Sequence, residues 1–166
     1  MYKFLTIYGP TGFTSFWSIK REIEPFKILD LQTNQPKTKE NLNIVISSVA
    51  GGIGLTVCEY LSKLGYKNLY GIAGSEEKCE AAKKLGCRAC LNYKNYYDKE
   101  TIRAKDFESD LKKMMGGQKC DIYYENVGED MLSCMLNVMA DHSKVIMCGA
   151  TATYNNWGKK EGVDNF

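Results

Sequence analysis

The 166 residues carry 22 Lys and Arg against 20 Asp and Glu, a net charge of +2, with 44% hydrophobic and 25% charged positions. That length is enough for one domain with a packed core and too short for two, and the near-neutral balance gives no basis for a nucleic-acid or membrane-surface partner. No apolar run reaches the ~20 residues of a bilayer span, and the N-terminus lacks the basic, apolar and small-residue layout of a signal peptide, so the expected location is the cytoplasm.

In chain order, the first segment is apolar and aromatic, with Tyr2, Phe4, Leu5, Ile7 and Tyr8 ahead of GPTG at 9–12 and Phe13, Phe16, Trp17 and Ile19 after it. The turn residues predict a short helix from Thr14. Residues 30–41 are polar, include Pro36 and read as a surface loop. Next comes NIVISSVAGGIG, 43–54. Its β-branched start is too short for a helix and typical of a strand buried on both faces. A small-residue turn follows, then a helical pattern with Leu55, Val57, Cys58, Tyr60, Leu61 and Leu64 that Gly65 could end.

A strand, a glycine turn and a helix in succession aim the unpaired N–H groups of the helix's first turn, and its positive dipole end, at a phosphate. Against the dinucleotide fingerprint G-x-G-x-x-G, the second and third glycines are Gly51 and Gly54, but the first position is Val49. Glycines here serve equally well to let a helix pack closely on a strand. The flanking strand and helix favour the phosphate reading.

Beyond the turn, NLYGIA (68–73) predicts a second strand, with Ser75 as N-cap of a helix over 76–85 ended by Gly86. ACLNY (89–93) predicts a third strand. The polar stretch 95–109 joins a helix over about 107–115, and DIYYEN (121–126) predicts a fourth strand. Met131, Leu132, Met135, Leu136 and Met139 stand at helical spacing over 130–139, a stripe expected in the core rather than at a cofactor. KVIMC (144–148) predicts the fifth strand. Strands alternating with helices imply an α/β, Rossmann-type, doubly wound parallel sheet of five predicted strands, with its ligand at the strands' carboxyl ends.

Of the seven cysteines, Cys58, Cys79, Cys120, Cys134 and Cys148 are scattered, mostly among apolar neighbours, where a free thiol behaves as a small hydrophobe. Cys87 and Cys90 form a C-x-x-C, but there is no second such pair and the single histidine, His142, is far along the chain, so no metal site is expected. The pair begins a predicted strand, which would point the two thiols to opposite faces. A thiol-based sensor on this pair is the third of three functional readings.

The end of the second strand discriminates between nicotinamide cofactors. NAD binders place an acid there for the ribose 2′-hydroxyl, whereas a 2′-phosphate needs that acid gone and a cation near. Here the strand ends in Gly74-Ser75, with Lys78 one turn on and Glu76 and Glu77 beside it. On spacing alone, Lys78 is a cofactor ligand or a solvated surface lysine.

Together, ISSVAGGIG, GIAGSEEK, LNYK, YYENVG and CGATATYN, in this order and spacing, resemble the zinc-independent medium-chain dehydrogenases/reductases of the prostaglandin reductase (leukotriene B4 12-hydroxydehydrogenase) group, and GPTGFTSFW looks like that family's approach to its nucleotide-binding domain. The resemblance covers nearly the whole chain. It implies an NADP-dependent enzyme that reduces the carbon–carbon double bond of small α,β-unsaturated ketones or aldehydes, including 15-oxo-prostaglandins, with no metal, no nucleic-acid or membrane partner, and a homodimer in the full-length family.

Carried over by position, the resemblance implies that Gly51, Gly52, Ile53 and Gly54 hold the pyrophosphate. It also implies that Lys78 and Tyr93 bind the 2′-phosphate, that Ser75 belongs to the cofactor site, and that Asn126 with Cys148, Gly149, Ala150, Thr151, Ala152, Thr153 and Tyr154 line the adenosine-to-nicotinamide path. No catalytic side chain is implied. The family's usual Asp before the asparagine is Glu125, a glycine usual after Gly128 is Glu129, and 95–109 is longer than in the family. Family members also carry a substrate and catalytic domain before this region and a sixth strand after it. The expectation is therefore a lead-in over 1–40 from the catalytic domain, then an NADP-binding domain over 41–166 incomplete at its C-terminus, unable to turn over enones by itself. The competing reading is a non-catalytic nucleotide-binding or interaction module derived from such a reductase.

Overall fold

The computed structural model describes residues 8–30, 33–98 and 101–152, so Tyr2, Phe4, Leu5, Ile7, Thr153 and Tyr154 lie outside the described residues. Among the described residues no helix is long and apolar enough to cross a membrane.

Helix α1 (Pro10–Ser18) starts four residues ahead of the expected Thr14. Pro10 is the reason: at the first helical position its fixed φ suits the helix and its missing N–H is not needed. A π-helical turn (Ile19–Ile23) continues it and buries both isoleucines. There follow β1 (Asn43–Ile46), α2 (Gly52–Lys63), β2 (Asn68–Ala73), α3 (Glu76–Lys84) and β3 (Ala89–Asn92). A 3-10 turn (Tyr93–Tyr96) then leads to β4 (Tyr97–Asp98), β5 (Thr101–Ile102), α4 (Ala104–Met114), β6 (Cys120–Glu125), α5 (Glu129–Leu136) and β7 (Met139–Met147).

The main sheet has the order β3-β2-β1-β6-β7, every pair parallel, while β4 and β5 form a small antiparallel hairpin. The chain runs outward from β1 to β3, then crosses back to β6, so the strand order reverses between β1 and β6. Crevices for ligands open at such a reversal, beyond the strands' carboxyl ends. Because successive side chains alternate, Ile44 and Ile46 of β1 pack with Ile19, Ile23, Val57 and Leu61 on one face, and Val45 packs with Phe107, Leu111 and Met135 on the other. Burial on both faces explains why β1 is apolar from Ile44 to Ile46, while the buried Asn43 at its start spends its amide on Gln118 and the Lys119 carbonyl.

Three expected elements shift, each for a local reason. The polar stretch 95–109 is not a plain linker: it holds the hairpin, and α4 begins at Ala104 rather than about 107, with Arg103 N–H bonded to the Tyr96 carbonyl at 2.7 Å. Tyr96 packs edge-on against Phe107 at 5.1 Å between centroids, an aromatic anchor inside a polar-looking sequence. Helix α5 stops at Leu136, short of Met139, because the Val138 carbonyl is taken by Cys120 N–H at 2.9 Å and the chain passes into the sheet. Strand β7 begins at Met139, ahead of the expected Lys144. Cys120 pairs with Met139 and Ile122 with Lys144, so residues 140–143 bulge from the ladder, with His142 at φ 59. Regular pairing does begin at Lys144.

The early segment is packed onto the sheet. Ser18 Oγ lies 2.8 Å from the Tyr124 hydroxyl, and Lys37 Nζ contacts both oxygens of the fully buried Asp121 at 2.9 Å.

Candidate dinucleotide-binding cleft

A cleft of about 400 Å³ opens at the carboxyl ends of β1, β2 and β6. Its floor is the turn between β1 and α2. Val49 N–H bonds to the Ile72 carbonyl and Gly51 N–H to the Ser48 carbonyl, stitching the turn to β2 and to itself. A Cβ on Gly51 would meet Ser48 O and Oγ at 3.1 Å, and among the described residues no side chain caps α2, so its first-turn N–H groups lack a side-chain partner.

The glycines divide the work differently from the expectation. Gly51 lines the cleft, whereas Gly54 is buried, and a Cβ there would stand 2.4 Å from Ser48 O and 2.7 Å from Val49 Cα, so its service is close packing of helix on turn. Ile53 packs into the core and Gly52 is exposed beside Thr11. The glycine absent at position 49 is compensated across the sheet: Val49 is fully buried, and a Cβ on Gly71 would fall 2.6 Å from its Cγ1.

On the β2–β3 side stand Gly74, Lys78, Tyr93 and Lys94. Gly74 is where a side chain would press on the Tyr93 ring, its Cβ position being 3.2 Å from Cε1. Tyr93 meets Tyr97 edge-on at 5.8 Å, and burial raises the Tyr97 hydroxyl above its ordinary value. Lys78 and Lys94 form no ion pair among the described residues. Glu76 turns aside to accept from the Asn92 and Asn95 amides at 3.1 and 3.2 Å. Ser75 does not line the cleft: its Oγ accepts from Lys78 N–H at 3.3 Å as the N-cap of α3.

The opposite wall is Val127, Met131, Thr151 and Ala152. Met131, assigned by its spacing to the core alone, is buried and lines the cleft as well. This wall hangs on Glu125, which is fully buried: Oε1 accepts from Ser47 Oγ at 3.0 Å, from Gly128 N–H at 3.0 Å and from Val127 N–H, while its carbonyl accepts from Cys148 and Gly149. Asn126 also points inward, its N–H and Nδ2 bonded to Ser47 at 2.8 Å and its carbonyl to Thr151. Hence Asn126, Cys148, Gly149 and Ala150 are not among the cleft-lining residues. Among the described residues, the buried Glu125 Oε2 and Tyr123 hydroxyl lack hydrogen-bond partners, and burial and then Glu125 push the ionisation of Tyr123 well upward.

Sequence reasoning missed Lys94, Tyr97, Ser48 and Val127 as lining residues. Lys94 had a signal, since it directly follows Tyr93 in LNYK.

A family model described as "Zinc-binding dehydrogenase" matches residues 52–161. The chain belongs to the zinc-binding dehydrogenase family. Within the family it is 31% identical over 161 residues to the "NADPH-dependent curcumin reductase" of Escherichia coli, a match over 96% of this chain and 40% of that protein. Its match to "Prostaglandin reductase 1" of Oryctolagus cuniculus is 31% over 121 residues, covering 73% of this chain and 32% of the relative. The structure of CurA from Vibrio vulnificus in complex with NADPH superposes with a TM-score of 0.72 at 28% identity, over 98% of this chain and 41% of that one. The chain thus spans less than half the length of these relatives. Although the family's name implies zinc, among the described residues no three His, Cys, Asp or Glu side chains are grouped to hold a metal, so these residues do not fit a zinc site.

Proposed function

We propose that this chain binds NADPH in the cleft and forms the cofactor-binding part of a reductase acting on the carbon–carbon double bond of small α,β-unsaturated ketones or aldehydes. The observation that carries the cofactor reading is the β2 end. Lys78 and Lys94 line the cleft there beside Tyr93 and Gly74, and among the described residues neither forms an ion pair and no acid lines the cleft. That is the arrangement a 2′-phosphate needs. Gly51 and the uncapped start of α2 receive the pyrophosphate, and the Val127, Thr151 and Ala152 wall borders the nicotinamide half.

Bound NADPH supplies the hydride, and the chain's own residues hold and orient it. The substrate class is supported by a further relative, the "2-alkenal reductase (NADP(+)-dependent)" of Nicotiana tabacum, 31% identical over 128 residues. A homodimer and a cytoplasmic location belong to the same reading, the latter supported by seven free thiols.

Calorimetric titration of the chain with NADPH, repeated in the presence of 2′,5′-ADP, tests the cleft assignment. Saturable binding displaced by 2′,5′-ADP is expected. Absence of binding, or indifference to the competitor, contradicts it.

A further inference from the structure

The C-x-x-C spacing points to the wrong partners. Cys87 precedes β3 rather than beginning it, and it and Cys90 pack against the same core cluster instead of facing opposite ways. The neighbour of Cys87 is Cys58 of α2, 29 positions away, with the two Sγ atoms 3.3 Å apart and both thiols buried. Cys58 also lies against the Ala82 and Leu85 carbonyls at 3.9 Å, so the end of α3 encloses the pair. A disulfide places sulfurs about 2.05 Å apart, so the bond closes with a movement of about 1 Å, within reach of side-chain rotation. Hydrogen bonding to Cys87 lowers the Cys58 thiol below its ordinary value, while the same contact and burial push Cys87 far up. Cys58 is then the better nucleophile of the two.

We propose that Cys58 and Cys87 are a redox modification site, closing a reversible intramolecular disulfide with a small peroxide as oxidant. The Cys58 thiolate attacks one peroxide oxygen, releasing water and leaving a sulfenic acid. The Cys87 sulfur displaces its hydroxyl as a second water. Two thiols and one peroxide give one disulfide and two waters: sulfur is oxidised, peroxide is reduced, and a dithiol reverses the step. The bond ties α2, which opens from the cleft floor, to the turn that feeds β3, Tyr93 and Lys94, and it encloses β2 and α3 in the loop. Closing a loop of that length restricts the unfolded chain, so the oxidised protein withstands more denaturant.

The test uses the full chain, reduced and desalted, then exposed to a few equivalents of hydrogen peroxide, quenched with catalase, alkylated and digested without reductant. Free thiols should fall from seven to five, with a Cys58–Cys87 cross-linked peptide that dithiothreitol removes and a raised urea midpoint. Cys90→Ser should form the same cross-link, and Cys58→Ser should form none. Mapping the unsubstituted chain decides the matter even if Cys58→Ser does not fold. Seven thiols surviving, sulfinic acid at Cys58 without a cross-link, or a bridge from Cys87 to Cys90 would each overturn the proposal.

Discussion

On the β2–β3 side of the cleft, Gly74, Lys78, Tyr93 and Lys94 all come from one stretch of chain. Each is placed by local means: a strand end, a Ser75 cap, a 3-10 turn. On the β6 side, the wall depends on bonds that bridge 78 and 79 positions, from Ser47 to Glu125 and Asn126. The near wall presents charge to solvent, whereas the far wall hides a carboxylate behind apolar residues. Stability and recognition should therefore separate, with substitutions on the far side costing folding energy and those on the near side costing selectivity.

Glu125→Ala should have the largest effect. It strips Ser47 Oγ and the Val127 and Gly128 N–H groups of their shared acceptor, at a cost of about 3 kcal/mol. Urea denaturation measures it, and a loss below about 1 kcal/mol would show that the far wall does not hang on this carboxylate. Gly54→Ala comes next, because its Cβ would meet the turn's backbone at 2.4 Å and backbone cannot swing aside. About 2 kcal/mol should be lost, checked by the same titration.

Glu129 should show the opposite sign. It holds φ 50 directly after Gly128, in the left-handed region, where a side chain costs about 1 kcal/mol or more. Glu129→Gly should raise stability by about 1 kcal/mol. Ser75→Ala should cost about 1 kcal/mol through the lost α3 cap and leave the ratio of NADPH to NADH affinities unchanged, since its hydroxyl faces Lys78 N–H rather than the cleft.

What was legible in the sequence follows the same division. The alternation of strands and helices and the Ser75 cap rest on local pattern, Lys78 and Tyr93 enter through the family resemblance, and the expected second strand matches Asn68–Ala73 residue for residue. The far wall rests on contacts between distant residues that no window of sequence displays. The resemblance puts Asn126 on the cofactor path, yet its amide is spent on the Ser47 carbonyl. The hairpin of β4 and β5 was hidden by polar composition around Tyr96 and Tyr97, and Met131 by a periodicity that identifies a buried face without saying what else that face borders. The glycine missing at 49 read as a weakness, since its compensation at Gly71 lies on another strand.

On the function proposed above, the near wall selects a 2′-phosphate through Lys78. Calorimetric affinities for NADPH and NADH, in the unsubstituted chain and in Lys78→Ala, test it most directly. NADPH should bind about 10- to 100-fold more tightly, the worth of one charge-assisted contact, and Lys78→Ala should remove most of that preference while leaving NADH affinity and the urea midpoint in place. Equal affinities for the two cofactors in the unsubstituted chain would contradict the account.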